Sequence, residues 1–148
     1  MPDLVTHIVS AWAIKGWDKQ RLNTVFFIFG NMLPDIATRV IFIPFPSTYK
    51  YLFCIHSFFP LFIIILFIAE FINKDVRRDF IIWSYLGCVL HQVMDIFQYG
   101  IGGYALFFPF YNRLFAFSLI RLNYFYVLTI ILLIIILTFS KIYIRKER

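Results

Sequence analysis

His91 and Asp95 stand four residues apart in an apolar run, Leu90-His91-Gln92-Val93-Met94-Asp95. On a helix that spacing stacks both side chains on one face, where they can reach a common cation. Imidazole and carboxylate are good ligands for zinc and also suit manganese or iron. The chain has three histidines; the other two, His7 and His56, sit at the edges of apolar runs, and Asp35 lies inside one. These five groups suffice for one divalent ion with a position left for water, or for two ions about 3.5–4 Å apart. A centre of that kind brings the pKa of bound water to about 7, and Asp35 and Asp95 are the candidate catalytic carboxylates, bridging ions or taking the proton.

Each residue also has a plainer explanation. His91 and Asp95 can form a hydrogen-bonded pair within the membrane, and Asp35 can pair with Arg39 one turn on. His7 can sit at the interface near the chain start, and His56-Ser57 can cap a helix with a solvated imidazole. Cys54 and Cys88 lie in different runs and read as buried free thiols, with Cys54-x-His56 as the alternative ligand pair.

The elements that must position these groups belong in lipid. The chain is 148 residues long, 61% hydrophobic and only 15% charged, with a mean hydropathy of +0.81. Soluble domains are about 45–50% apolar and about 25% charged. The net charge of +6 does not point to nucleic acid. The basic residues cluster between or after the apolar runs, at Lys15, Lys19 and Arg21, at Lys74, Arg77 and Arg78, and at Lys141, Arg145, Lys146 and Arg148. That is the pattern expected of cytoplasmic helix ends.

In chain order, the sequence predicts a short helix over residues 4–14 and spanning-length runs over 24–45, 52–73, 80–99 and 124–143. The run over 24–45 is kinked at Pro34, which leaves a carbonyl free for another partner. Residues 73–79 read as a polar connection and residues 104–112 as an aromatic re-entrant or interfacial loop. The fold expected is therefore an all-α integral membrane bundle of about four spanning helices plus the short N-terminal one. A single domain over 1–148 divides into a metal-site core, 1–111, and an interfacial segment with a C-terminal anchoring helix, 112–148. At about 1.5 Å per residue, His91 lies roughly 20 Å and Asp95 roughly 25 Å from Arg78, and Asp35 roughly 21 Å from Arg21. The same arithmetic puts His56 roughly 27 Å from Lys74 and His7 roughly 12–18 Å from the first basic cluster. All five groups then share one depth, near the non-cytoplasmic face, with the C-terminus in the cytoplasm.

The order Thr6-His7, Leu33-Pro34-Asp35, His56-Ser57, His91-x-x-x-Asp95 and Leu106-Phe107-Phe108-Pro109-Phe110 resembles the inner-membrane metal-dependent hydrolases of bacteria and archaea, also described as LexA-binding, inner-membrane-associated hydrolases. A looser likeness is to zinc-dependent phospholipase C. The resemblance implies His7, Asp35, His56, His91 and Asp95 as the metal positions and one or two divalent ions, zinc above others. It also implies the inner membrane as location and, through the family label alone, a soluble regulator such as LexA as partner. Where that family carries His-Arg before the His-Ser motif, this chain has Tyr51 and Leu52, with Lys50 beside them as a cation. The function expected is hydrolysis of a lipid or lipid-linked ester or phosphoester entering from the membrane, past Tyr99, Tyr104, Phe107 and Phe108. The rival is a non-catalytic membrane protein whose His/Asp cluster or bound metal is structural. A proton or ion pathway ranks third, because few polar residues continue toward the cytoplasmic end.

Overall fold

The computed structural model describes residues 4–15, 20–45, 47, 54–97, 103–117, 119–121, 124 and 127–136. Among them are helices α1 (Leu4–Lys15), α2 (Arg21–Phe42), α3 (Phe58–Ala69), α4 (Lys74–Phe97) and α5 (Val127–Ile136). No strand occurs among the described residues; Tyr104 and Phe115 form one isolated antiparallel bridge.

The distribution of side chains is that of a protein solvated by lipid. Buried positions include Thr6, Ser10, Asn31, Asp35, Ser84 and Gln92, while Val25, Val40, Ile63, Phe67, Leu86, Ile131 and Ile134 are exposed. Lipid offers no hydrophobic drive between helices, so the bundle is held by close backbone approach and by polar contacts. The closest approach is between α2 and α4. A Cβ on Gly30 would stand 1.8 Å from the Ser84 carbonyl oxygen, and one on Gly87 would stand 2.1 Å from that of Phe27. Phe26 and Phe29 pack on Phe80 at the far end of the same seam. At the end of α1, the Lys15 ammonium lies 3.4 Å from the centre of the Trp83 ring.

Four spanning helices were expected; among the described residues only α2 and α4 are long and apolar enough to cross a membrane. The run over 52–73 fails as a span for a local reason. Ser57 is extended (φ −96°, ψ 160°) and its hydroxyl bonds the Cys54 carbonyl, so a turn precedes a helix of only 12 residues. Pro60 falls in the first turn of α3, where a missing N–H costs little. The helix ends in a turn over residues 70–72. Asn73 then opens α4, its side chain accepting from the Asp75 N–H at 3.3 Å and its carbonyl from the Val76 N–H at 3.1 Å. The residues read as a polar connection are thus the first turn and a half of a 24-residue helix. Of the expected run over 124–143, the part beyond Ile136 lies outside the described residues. What is described of α5 packs back on the bundle, Thr129 Oγ1 donating to Thr6 Oγ1 at 2.9 Å.

If the α2–α4 seam holds the fold, Gly30→Val will cost on the order of 1–3 kcal/mol, because the obstacle is backbone that cannot rotate away. Thermal unfolding in detergent checks this; an unchanged midpoint would mean the helices do not meet there.

Candidate metal centre

Pro34 prepares the site. It has no N–H to close on the Gly30 carbonyl, and the Cys88 thiol donates to that oxygen instead, at 3.0 Å. One residue on, the Asn31 carbonyl lies 2.7 Å from His91 Nδ1. A carbonyl only accepts, so Nδ1 carries the proton and a neutral His91 presents a lone pair at Nε2.

The structure brings all five ionisable groups together from four elements, and none is more than 2% exposed. His7 comes from α1, Asp35 from α2, His56 from the turn before α3, and His91 with Asp95 from α4. His91 Nε2 lies 3.2 Å from Asp95 Oδ2, 3.9 Å from Asp35 Oδ1 and 3.2 Å from His56 Nε2. His56 Nε2 is 2.9 Å from Asp95 Oδ2, and His7 Nε2 is 3.6 Å from Asp95 Oδ1. The His7 and His91 rings stack at 3.8 Å. His7, His91 and Asp95 offer ligand atoms within 4.8 Å of one another, and His56, His91 and Asp95 stand closer still, at 2.9–3.2 Å.

Two observations bear on whether a cation fits. Nitrogen and oxygen ligands about 2.0–2.2 Å from a tetrahedral zinc stand roughly 3.3–3.6 Å apart, close to the separations here. Both ring nitrogens of His7, both oxygens of Asp35 and Asp95 Oδ1 are buried and make no hydrogen bond among the described residues. Buried donors and acceptors are normally paired, and here His7 Nε2 and Asp95 Oδ1 face each other at 3.6 Å with Asp35 Oδ1 close by, 3.9 Å from His91 Nε2. The donor set fits a divalent ion.

The plainer readings fare unevenly. Arg39 does lie beside Asp35, with Nη2 3.6 Å from Oδ2, but it engages one oxygen from a half-exposed position. His56 is not solvated; it is buried, with its ring stacked on Tyr104 at 4.9 Å. Cys54 is half-buried and Cys88 serves the Gly30 carbonyl, both as free thiols. Tyr51, Leu52, Lys50 and Tyr99 lie outside the described residues.

Sequence reading passed over two supports. Gln92 donates from Nε2 to the His56 carbonyl, and Asn31 donates from Nδ2 to that of His7. The available signal was that Asn31 stands one turn before Asp35 and Gln92 next to His91, both in apolar runs where an amide is costly without a partner.

A family model, that of the YdjM inner membrane protein, matches residues 2–148. The chain belongs to the YdjM family. Membership together with two spanning-length helices places it in the inner membrane. Comparison with curated proteins and with solved structures finds no match. The YdjM description carries no reaction and no metal, so the chemistry of the site rests on its residues.

Gln92→Leu will strand the His56 carbonyl and cost about 1–3 kcal/mol, read as a lower unfolding midpoint. Equal midpoints would remove Gln92 from the support of the site.

Proposed function

We propose that this YdjM-family protein is a membrane-embedded, metal-dependent hydrolase acting on a lipid or lipid-linked ester, phosphoesters included. The observation that carries the reading is the convergence of five buried imidazole and carboxylate groups from four elements. His7, Asp35, His56, His91 and Asp95 would hold one or two divalent ions, zinc being favoured by the imidazole-rich set. A divalent ion bound there supplies Lewis acidity and makes water acidic enough to lose a proton near neutral pH.

The protein's own groups have separate tasks. Asp95 engages His56 and His91 and holds both rings in orientation. Asp35, whose oxygens make no hydrogen bond among the described residues, is the carboxylate placed to accept a proton from the attacking water. Arg39 balances charge at Asp35 from its exposed side. The rings of Tyr104, stacked on His56, and of Phe107 would flank a lipid entering the site. A soluble regulator such as LexA finds no residue here that argues for it.

One observation favours a second reading. The 2.9 Å and 3.2 Å contacts of Asp95 with His56 and His91 can be satisfied by protons alone, giving a structural polar cluster without catalysis.

Elemental analysis of the purified full chain separates them. We expect about one or two divalent ions per chain, lost in His91→Ala and in Asp95→Ala, and chelator-sensitive hydrolysis of a long-chain p-nitrophenyl ester or phosphoester. Variants that keep wild-type metal content would end the proposal; unstable, metal-free proteins without hydrolysis would favour the structural cluster. The basic clusters of the sequence support a cytoplasmic C-terminus, with the site toward the opposite face. A C-terminal tag reached from the periplasm of intact spheroplasts would reverse that orientation.

A further inference from the structure

Beside the site, the seam between α3 and α4 opens into a groove of about 410 Å³ lined by Phe58, Phe59, Phe62, Tyr85, Phe107 and Phe110. We propose that this groove takes a single hydrocarbon chain of a lipid whose polar head lies at the His/Asp cluster. The inference rests on the hydrolase reading for the identity of the head, and it names what that reading leaves open: the part of the substrate that is held while the ester is cleaved.

The shape and anchoring of the groove distinguish it from an ordinary lipid-facing surface. One wall is the loop over 104–110, and that loop is fixed. Tyr104 and Phe115 exchange backbone hydrogen bonds of 3.0 Å and 2.9 Å, and the Phe58 N–H donates to the Leu106 carbonyl at 2.9 Å. The rings interlock across the groove, Phe58 with Phe107 at 5.8 Å, Phe59 with Phe110 at 5.4 Å and Phe62 with Tyr85 at 5.2 Å. The volume lies in the usual range for small-ligand sites, about 300–1,000 Å³.

The groove is built on the same elements as the candidate centre. Phe58 follows His56 by two residues, and the Tyr104 ring stacked on His56 belongs to the loop that carries Phe107. From Phe58 to Phe62 along α3 is roughly 6 Å, and from His91 back to Tyr85 along α4 roughly 9 Å. Both helices lead in the same direction, away from the charged groups and into the apolar body of the bundle. An occupant with one polar end and one apolar tail matches that gradient. A wholly polar substrate would leave the aromatic walls unused.

The test uses the full chain in phosphatidylcholine nanodiscs. The probe is a long-chain alkyl phosphate bearing a diazirine at its chain end, with the plain alkyl phosphate as competitor. On irradiation, label should fall on peptides containing Phe58, Phe59, Phe62 or Phe107. It should be lost on competition and drop several-fold in the double variant Phe59→Ala/Phe107→Ala, whose metal content is measured as a control for folding. Label spread evenly over lipid-facing positions such as Val25, Val40 and Leu86, indifferent to competitor or to the variant, would overturn the groove. Because cross-linking needs no turnover, the two readings fail separately. Groove labelling in a metal-free wild-type protein sinks the hydrolase alone, and hydrolysis without groove labelling sinks the groove alone.

Discussion

The structure depends on one break in a helix. Pro34 leaves the Gly30 carbonyl without its intrahelical donor, and in lipid a carbonyl must find another. The Cys88 thiol supplies it, and that contact requires α4 to lie against α2 with nothing between. Gly30 and Gly87 meet the requirement by having no side chain. One turn along α4 from Cys88, His91 then falls beside the Asn31 carbonyl and has its tautomer set. The register of the two long helices, the depth of the site and the direction of the His91 lone pair thus follow from a missing N–H.

The electrostatics of the cluster follow from its burial. Two carboxylates out of water need positive charge close by, and removing one partner of such a set costs far more than the set contributes in net stability. Arg39 offsets Asp35 from one side only. Imidazoles crowd the other side, and His56 Nε2 and His91 Nε2 stand 3.2 Å apart beside the Asp95 carboxylate; two lone pairs at that distance repel, so a proton or a cation must lie among these atoms. Either occupant makes the cluster hold α1, α2, α4 and the His56 turn together. The five groups therefore join the elements of the bundle whatever chemistry they perform.

Much of this was legible from spacing. His91 and Asp95 at helical separation, and Pro34 beside Asp35, led to the right faces of α2 and α4, because a charge in an apolar run has few places to go. The common depth followed from counting residues. What spacing could not reach was tertiary. The turn at Cys54–Ser57 reads as part of a continuous apolar run, since Ile55 to Ile72 contains no strong breaker apart from Pro60, a residue that helices accept in their first turn. The charged stretch Lys74–Asp79 reads as a connection, yet Asn73 caps it into helix and its charges lie at an exposed helix end. Gln92 and Asn31 carry no pattern of their own; their importance appears only once the carbonyls of His56 and His7 are seen to need donors.

Arg39 fixes where the cluster stands relative to the membrane surface. Its side chain is 53% exposed, on an otherwise lipid-facing stretch that includes Ile36 and Val40. A guanidinium in that position is tolerable only where its long stem can carry the charge to headgroups or water. Asp35 is one helical turn away, about 6 Å along the axis, so the proposed membrane site would lie within about a turn of the interface. The short elements agree: α3 begins and the loop over 103–117 crosses at this level, and irregular backbone at membrane depth persists only where it is buried in protein or lines a cavity. Under the proposed hydrolase reading, a site so placed would draw water from one side and a lipid chain from the other; a purely structural cluster has no need of either.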